Sequence, residues 1–404
     1  MNKREQIEES RISRALLAPF TVLTIQYFIL VSFNLSTSTG SGVQYLSKSI
    51  VALFFFIAFP SVYKRNRRRI FVIYWFTALL FISHYIVFPS NRTFLLAISF
   101  DLFFMNIPVL LYSLALNDFI LFGSALKRTA DIVMFFGTLT AVFSLFGRTS
   151  IGIYSMSLSY YMLLPAIVNL DRLIDKFRVK TLIYFVTSSS VILSLGSRGA
   201  LLCIAVFLVL KIIKTDTKST IQKSLGYIGF LTTLVITVVF SNEIIIHIYN
   251  IFVRLGINSR TLRMLLQGNL HVSQSRDRIY QIVWEQVVKK PVLGIGLAGD
   301  RAVLEGIAVY VHNIFLEIIA NFGIIVGSII ILAIAGLLIR SFFIRDRKKY
   351  GLISILVSTG FVHLFLSNSY LIDIKFWLFL GVTLNLNFNT GISQNTHESV
   401  NLTH

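Results

Sequence analysis

The sequence predicts an all-α polytopic membrane protein of about twelve transmembrane helices, with one large external loop between spans nine and ten. Three observations carry that expectation. Of 404 residues, 55% are hydrophobic and 14% charged, with a mean hydropathy of +0.76, too little polar surface to cover a soluble domain of this length. Apolar runs near 20 residues recur along the chain, each long enough to cross a hydrocarbon core about 30 Å thick; a transmembrane barrel would show alternating segments of about ten residues. The net charge of +19 is spread in short basic clusters between the runs, as orientation signals are, which argues against a nucleic-acid partner.

The candidate spans are 15–35, 46–63, 70–88, 93–116, 130–147, 152–169, 181–196, 199–213, 225–247, 311–338, 351–367 and 374–388. They group as a bundle over 1–248, a loop over 249–310, a C-terminal set of helices over 311–388 and a polar tail over 389–404. Spans 181–196 and 199–213 are split by Gly196-Ser197-Arg198-Gly199. With the N-terminus placed in the cytoplasm, 24 of the 37 Lys and Arg residues fall on inside segments, and the short outside connections hold only Lys48, Arg92, Arg148, Arg198 and Lys375. Fusing 181–213 into one span would break that alternation. Both termini are therefore expected to be cytoplasmic and the long loop external. The polar stretch Met1 to Arg14 precedes a full-length span without a small-residue cleavage site, so no signal peptide is read there. The one cysteine, Cys203, lies in an apolar run and offers no intrachain disulfide.

The loop reads as structured. Ser275 is placed to cap a helix from Arg276, with Asp277 in its first turn, Lys289-Lys290 in its last, and Pro291 as the stop. Ile279, Ile282, Val283 and Val287 line one face, giving an amphipathic helix for the membrane surface or the bundle. A shorter helix over 259–267 would carry Arg260 and Arg263 one turn apart. Gly294-Ile-Gly296-Leu-Ala-Gly299 fits G-x-G-x-x-G but follows a helix and a proline, not a strand, so a flexible turn is expected rather than a dinucleotide site. Asn34-Leu-Ser36 and Asn91-Arg-Thr93 match the glycosylation sequon, a pattern with little information.

Ionisable residues inside spans are costly and tend to mark function. His84, Asp101, Glu317, His363 and Arg198 all lie toward outer ends, which suggests an outward-facing polar cavity. Each has a packing alternative: the two histidines as interfacial or hydrogen-bonded residues, Asp101 as the partner of Arg92 or another arginine. Asn313, Glu317 and Asn321 share one helix face, as an inward-facing polar stripe or as glue between helices. Gly323 and Gly327 read as a small-residue packing pair.

Arginines at a membrane surface suit a diphosphate, since a guanidinium bonds phosphate oxygens in pairs and stays charged. A histidine suits general-base work. An external enzyme without nucleotides needs a donor carrying its own leaving group, which a sugar on a polyprenyl diphosphate does. Three motifs then resemble the O-antigen ligase/polymerase superfamily of Wzy-type polymerases and WaaL-like ligases. Ser197-Arg198-Gly199-Ala200 is similar to its Ser-Arg-Gly motif. Ser275-Arg276, Tyr280 and Pro291-Val-Leu-Gly294-Ile-Gly296 resemble its Arg-x-x-x-Trp…Pro-x-x-Gly-x-Gly run, with Tyr in place of Trp. His312-Asn313 with Asn321-Phe322-Gly323 resembles its His-Asn…Gly element. The likeness covers about 195–340.

The resemblance implies an inverting glycosyl transfer on the external face of the bacterial cytoplasmic (inner) membrane, without a metal or other cofactor. Arg198 and Arg276 would neutralise the donor diphosphate, and His312 would deprotonate or orient the acceptor hydroxyl. Arg254, Arg260, Arg263 and Arg278, with Glu317 and Asp101, are candidates for substrate binding; the four arginines equally suit anionic lipid headgroups. The implied partners are an undecaprenyl-diphosphate-linked oligosaccharide, membrane lipid, a chain-length regulator and a flippase, with products of the O-antigen, capsule or exopolysaccharide kind. A polymerase is preferred to a ligase because no added soluble domain suggests a protein acceptor. A transporter would show repeats and midplane charges reached from both sides, where this chain has one large loop and outward-biased charges.

Overall fold

A computed structural model describes residues 2–35, 40–145, 156–195, 197–214, 241–254, 256 and 274–400, and these are helical without a strand. The helices are α1 (Lys3–Ser32), α2 (Ser41–Val87), α3 (Arg92–Phe100), α4 (Ile107–Leu114), α5 (Phe119–Leu145), α6 (Met156–Asp175), α7 (Val179–Ser194), α8 (Arg198–Ile213), α9 (Ser241–Arg254), α10 (Gln274–Lys289), α11 (Gly299–Val303), α12 (Ile314–Phe342), α13 (Arg347–Leu356) and α14 (Ile374–Val400). Among the described residues, Lys3–Ser32, Ser41–Val87, Pro89–Leu114 and Ile314–Phe342 are long and apolar enough to cross a membrane, and Val179–Ser194, Gly199–Ile213 and Ile374–Phe388 are shorter apolar helices. The chain divides into two compact units. One holds Met1–Leu16, Leu53–Gly123 and Ser273–His404; the other holds Leu17–Ala52 and Ser124–Val272.

In the first unit the expected spans 46–63 and 70–88 meet without a loop. They form α2, broken only at Asn66 (φ −126°, ψ 23°). Tyr112 Oη donates to the Phe55 carbonyl at 2.5 Å and Asn66 Nδ2 to the Leu111 carbonyl at 3.2 Å. Both contacts join α2 to α4 on either side of the kink at Asn66. Arg65, in one of the basic clusters between expected spans, is engaged: it donates to Glu9, to Glu8 at 3.2 Å and to the Ala115 carbonyl at 2.9 Å. Glu9, fully buried, also accepts from the Asn117 and Asp118 amides.

The expected span 93–116 is interrupted by a π turn at Asp101–Asn106. Pro108 follows at the start of α4; a proline ring displaces the carbonyl four residues back and removes a donor, which widens the preceding turn. α14 packs closely on α4. A Cβ on Gly381 would press on Ser113 and the Leu110 carbonyl, and Asn385 Nδ2 donates to the Ser113 and Leu116 carbonyls at 2.9 and 2.7 Å. α14 continues to Val400, past the expected span end at 388 and into the expected tail.

In the second unit α7 and α8 are separate, with Ser197 extended between them (φ −98°, ψ 99°). Lys211, near the end of α8, pairs with Asp171 and Asp175 at the end of α6, at 2.6 and 2.9 Å. α8 thus runs parallel to α6. The short 176–178 link makes α7 antiparallel to α6, so the chain reverses between α7 and α8. The split expected at Gly196–Gly199 is therefore a hairpin and not a kink. Most of the expected span 225–247 and the expected helix 259–267 lie outside the described residues. α9 carries helix through Arg254, beyond the expected loop start at 249.

Candidate functional site

The site grows from the amphipathic face of α10. Ile279, Val283 and Val287 are buried in one apolar cluster with Ile295, Leu304, Val311 and Ala320, and Ile282 packs against it. The helix expected from Arg276 thus starts at Gln274 and beds on protein. This lays α10 across the entry to α12. Tyr280, one turn after Arg276, points its hydroxyl at the His312 carbonyl, 3.5 Å away.

The segment after α10 is not the flexible turn expected of its glycines. Gly323 breaks α12 with φ 78° and ψ 173°, which would orphan backbone groups inside a membrane-type helix. The 291–295 segment fills the break: Ile324 N donates to the Pro291 carbonyl and Ile295 N to the Ala320 carbonyl, each at 2.7 Å. A Cβ on Gly323 would strike Val292 and Pro291, and one on Gly294 would strike Ala320 and Gly323. Gly294 and Gly323 therefore permit backbone-to-backbone contact, while Gly327 faces Ile318 and Ile319 of its own helix across the break, so the pair does not pack two helices together. Gly296 faces the Phe88 ring. His84 Nδ1 accepts from Leu297 N at 2.9 Å, and Asn91 Nδ2 donates to the Ile295 and Leu297 carbonyls at 2.8 and 3.2 Å. His84 and Asn91 are thus clamps on the loop; Asn91 is 2% exposed.

His312 sits at the mouth of α12. Its φ of 56° is left-handed, a conformation costing a non-glycine residue roughly 1–2 kcal/mol. Neighbours hold it on both sides. Asn313 caps α12, its side chain accepting from Phe315 N and Leu316 N at 3.0 and 3.2 Å. Val311 N donates to Asp300 Oδ2 at 3.1 Å. The Tyr310 ring stands edge-on to the imidazole with centroids 4.4 Å apart. Among the described residues, His312 Nδ1 is buried without a hydrogen-bond partner. Burial, and then the positive charge of Arg276, depress its pKa to about 4, so it is a neutral imidazole near pH 7.

Behind it lies a buried polar cluster. Glu317 accepts from Ser369 Oγ and, at 3.3 Å, from Tyr370 N. Asn321 Nδ2 donates to Tyr370 Oη at 2.8 Å. The face shared by Glu317 and Asn321 is thus glue toward the 369–370 loop. Arg301, 5% exposed, faces both Asp300 and Glu317. Burial raises the pKa of Asp300 against the pull of Arg301. His363 Nε2 meets Asp373 Oδ2 at 2.6 Å, both buried, so His363 is a packing residue in hydrogen-bond contact.

Of the residues nominated from sequence, Arg276 and His312 come together. Arg278 is exposed and Glu317 is buried beside Arg301. Asp101 opens the π turn and is half-buried; Arg92, weighed as its partner, donates to the Tyr85 carbonyl at 2.9 Å. Arg198 starts α8 and Arg254, exposed, ends α9, both in the second unit. Arg260 and Arg263 lie outside the described residues. Sequence reasoning missed Asp300 and Arg301. The adjacent opposite charges right after the glycine segment were the available signal.

Apolar helices and an arginine–histidine site on a segment between them define a class, a multi-pass helical membrane protein with a polar site at a helix mouth. Within that class, residues 183–331 match the family model described as O-antigen ligase, a stretch taking in Arg198, Arg276 and His312. The match agrees with the resemblance to the O-antigen ligase/polymerase superfamily, and that family implies a membrane glycosyltransferase-like enzyme. Neither curated proteins nor solved structures yield a match.

Proposed function

We propose that this chain is a polysaccharide polymerase. It moves a growing glycan from undecaprenyl diphosphate onto the end sugar of a lipid-linked repeat unit, on the external face of a bacterial cytoplasmic membrane. The observation that carries this reading is a neutral, half-buried His312 beside Arg276. The acceptor hydroxyl attacks the anomeric carbon of the donor sugar and gives its proton to the imidazole. The bond from that carbon to the diphosphate oxygen breaks, and the diphosphate leaves with the electron pair. Attack opposite the leaving group inverts the configuration. Arg276 offsets the charge of the leaving group. That same charge, once bound, cancels part of the field depressing His312 and makes the imidazole a stronger base when the donor is in place. The resemblance gives Arg198 a matching duty.

The test is reconstitution. Purified protein in lipid receives an undecaprenyl-diphosphate repeat unit without metal or nucleotide, and products are sized on a gel. A ladder supports the polymerase. Transfer that appears only when a lipid A core or protein acceptor is added assigns a ligase. Silence with every acceptor removes the transfer reading.

A further inference from the structure

We propose that Asp300 and Arg301 position His312, an inference that rests on the role just given to the imidazole. His312 holds a left-handed φ of 56°, and its backbone conformation needs external support. Asp300 supplies part of it. The carboxylate is fully buried, and Oδ2 accepts the amide of Val311, the residue directly before His312. Arg301 supplies another part. Its Nη2 donates to Ser369 Oγ at 3.0 Å, which ties α11 to the 369–370 loop. Its guanidinium carbon lies 5.9 Å from the centre of the Tyr310 ring, within reach of a cation–π contact. That ring is the one packed edge-on against the imidazole.

The pair is itself held from the opposite side. Arg301 Nη1 lies 3.8 Å from Asp300 Oδ1 and 3.9 Å from Glu317 Oε1, and makes no hydrogen bond among the described residues. One guanidinium thus stands between two buried carboxylates, one on α11 and one on α12. The line Glu317–Arg301–Tyr310–His312 and the line Asp300–Val311–His312 converge on the same residue. None of these groups needs to touch substrate.

Three variants test this in the reconstituted protein. Tyr310→Leu removes the ring and Tyr310→Phe keeps it. Arg301→Lys keeps a cation between the carboxylates but loses the planar fork. Positioning predicts that kcat falls about tenfold or more in Tyr310→Leu and Arg301→Lys with KM within about twofold, and that Tyr310→Phe restores most of it. It also predicts that the His312 imidazole, followed by its nitrogen resonance and assigned through His312→Ala, titrates closer to the ordinary value near 6.5 in Tyr310→Leu. If Tyr310→Leu is not recovered from the membrane, Arg301→Lys and Tyr310→Phe decide the matter. Full kcat in Arg301→Lys, or an unmoved imidazole in a slow Tyr310→Leu, overturns the proposal. Full transfer by His312→Ala would instead remove the reading beneath it.

Discussion

Replacing His312 with alanine is expected to stop glycan transfer while leaving the protein in the membrane. General-base contributions are typically 10²–10⁴-fold, so kcat should fall by about a hundredfold at least. The fold should tolerate the change. His312 is half-buried, its Nδ1 makes no hydrogen bond among the described residues, and alanine removes side-chain bulk without adding any. The pH profile gives a second reading. A depressed pKa means the imidazole is neutral above about 4, so kcat/KM of the free enzyme should stay flat well below the usual histidine range and drop only as the pH falls through that value. Near-normal chain lengths from His312→Ala would take the residue out of the chemistry.

The largest structural effect is expected at Gly323. Its φ of 78° with ψ of 173° is a region open essentially to glycine, and forcing another residue there costs about 1–3 kcal/mol. A Cβ would also meet the Val292 and Pro291 backbones, an overlap that adds about 1–3 kcal/mol. Gly323→Ala should therefore release the 291–295 segment from the break in α12. The unfolding midpoint in detergent should fall and transfer should be lost, because the same segment orders the approach to His312. Gly336 supplies the control in the same helix. A Cβ there meets nothing within 4 Å, and Gly336→Ala should be neutral or mildly stabilising. Equal unfolding midpoints for the two variants would mean that the interlock does not hold the loop.

Hydropathy made most of the helices legible, and the amphipathic face of α10 was readable residue by residue from its spacing. The hairpin of α7 and α8 was also legible, because basic residues flank it in the order that topology demands. The kink at Asn66 was not. Beside it Arg65 pairs with Glu8 and Glu9, residues about 57 positions away. The glycines after Pro291 misled for a related reason: locally they resemble any loose turn, and only the break in α12 at Gly323 shows what they accommodate. In the site, His312 and Arg276 stood out by chemistry and motif. Asp300 and Arg301 did not, since only burial distinguishes them from solvated loop charges, and Arg301 meets its partner Ser369 far along the chain. Glu317 was nominated for substrate and instead sits 1% exposed in that cluster.

The proposed reaction breaks a bond from sugar to polyprenyl diphosphate and makes a glycosidic bond. The direct measurement counts free undecaprenyl diphosphate by mass spectrometry in reconstituted vesicles as the glycan lengthens. One diphosphate released for each new linkage, and none with His312→Ala, is the predicted result. Lipid-linked units that change leaflet with no diphosphate released would contradict it and make the chain a carrier.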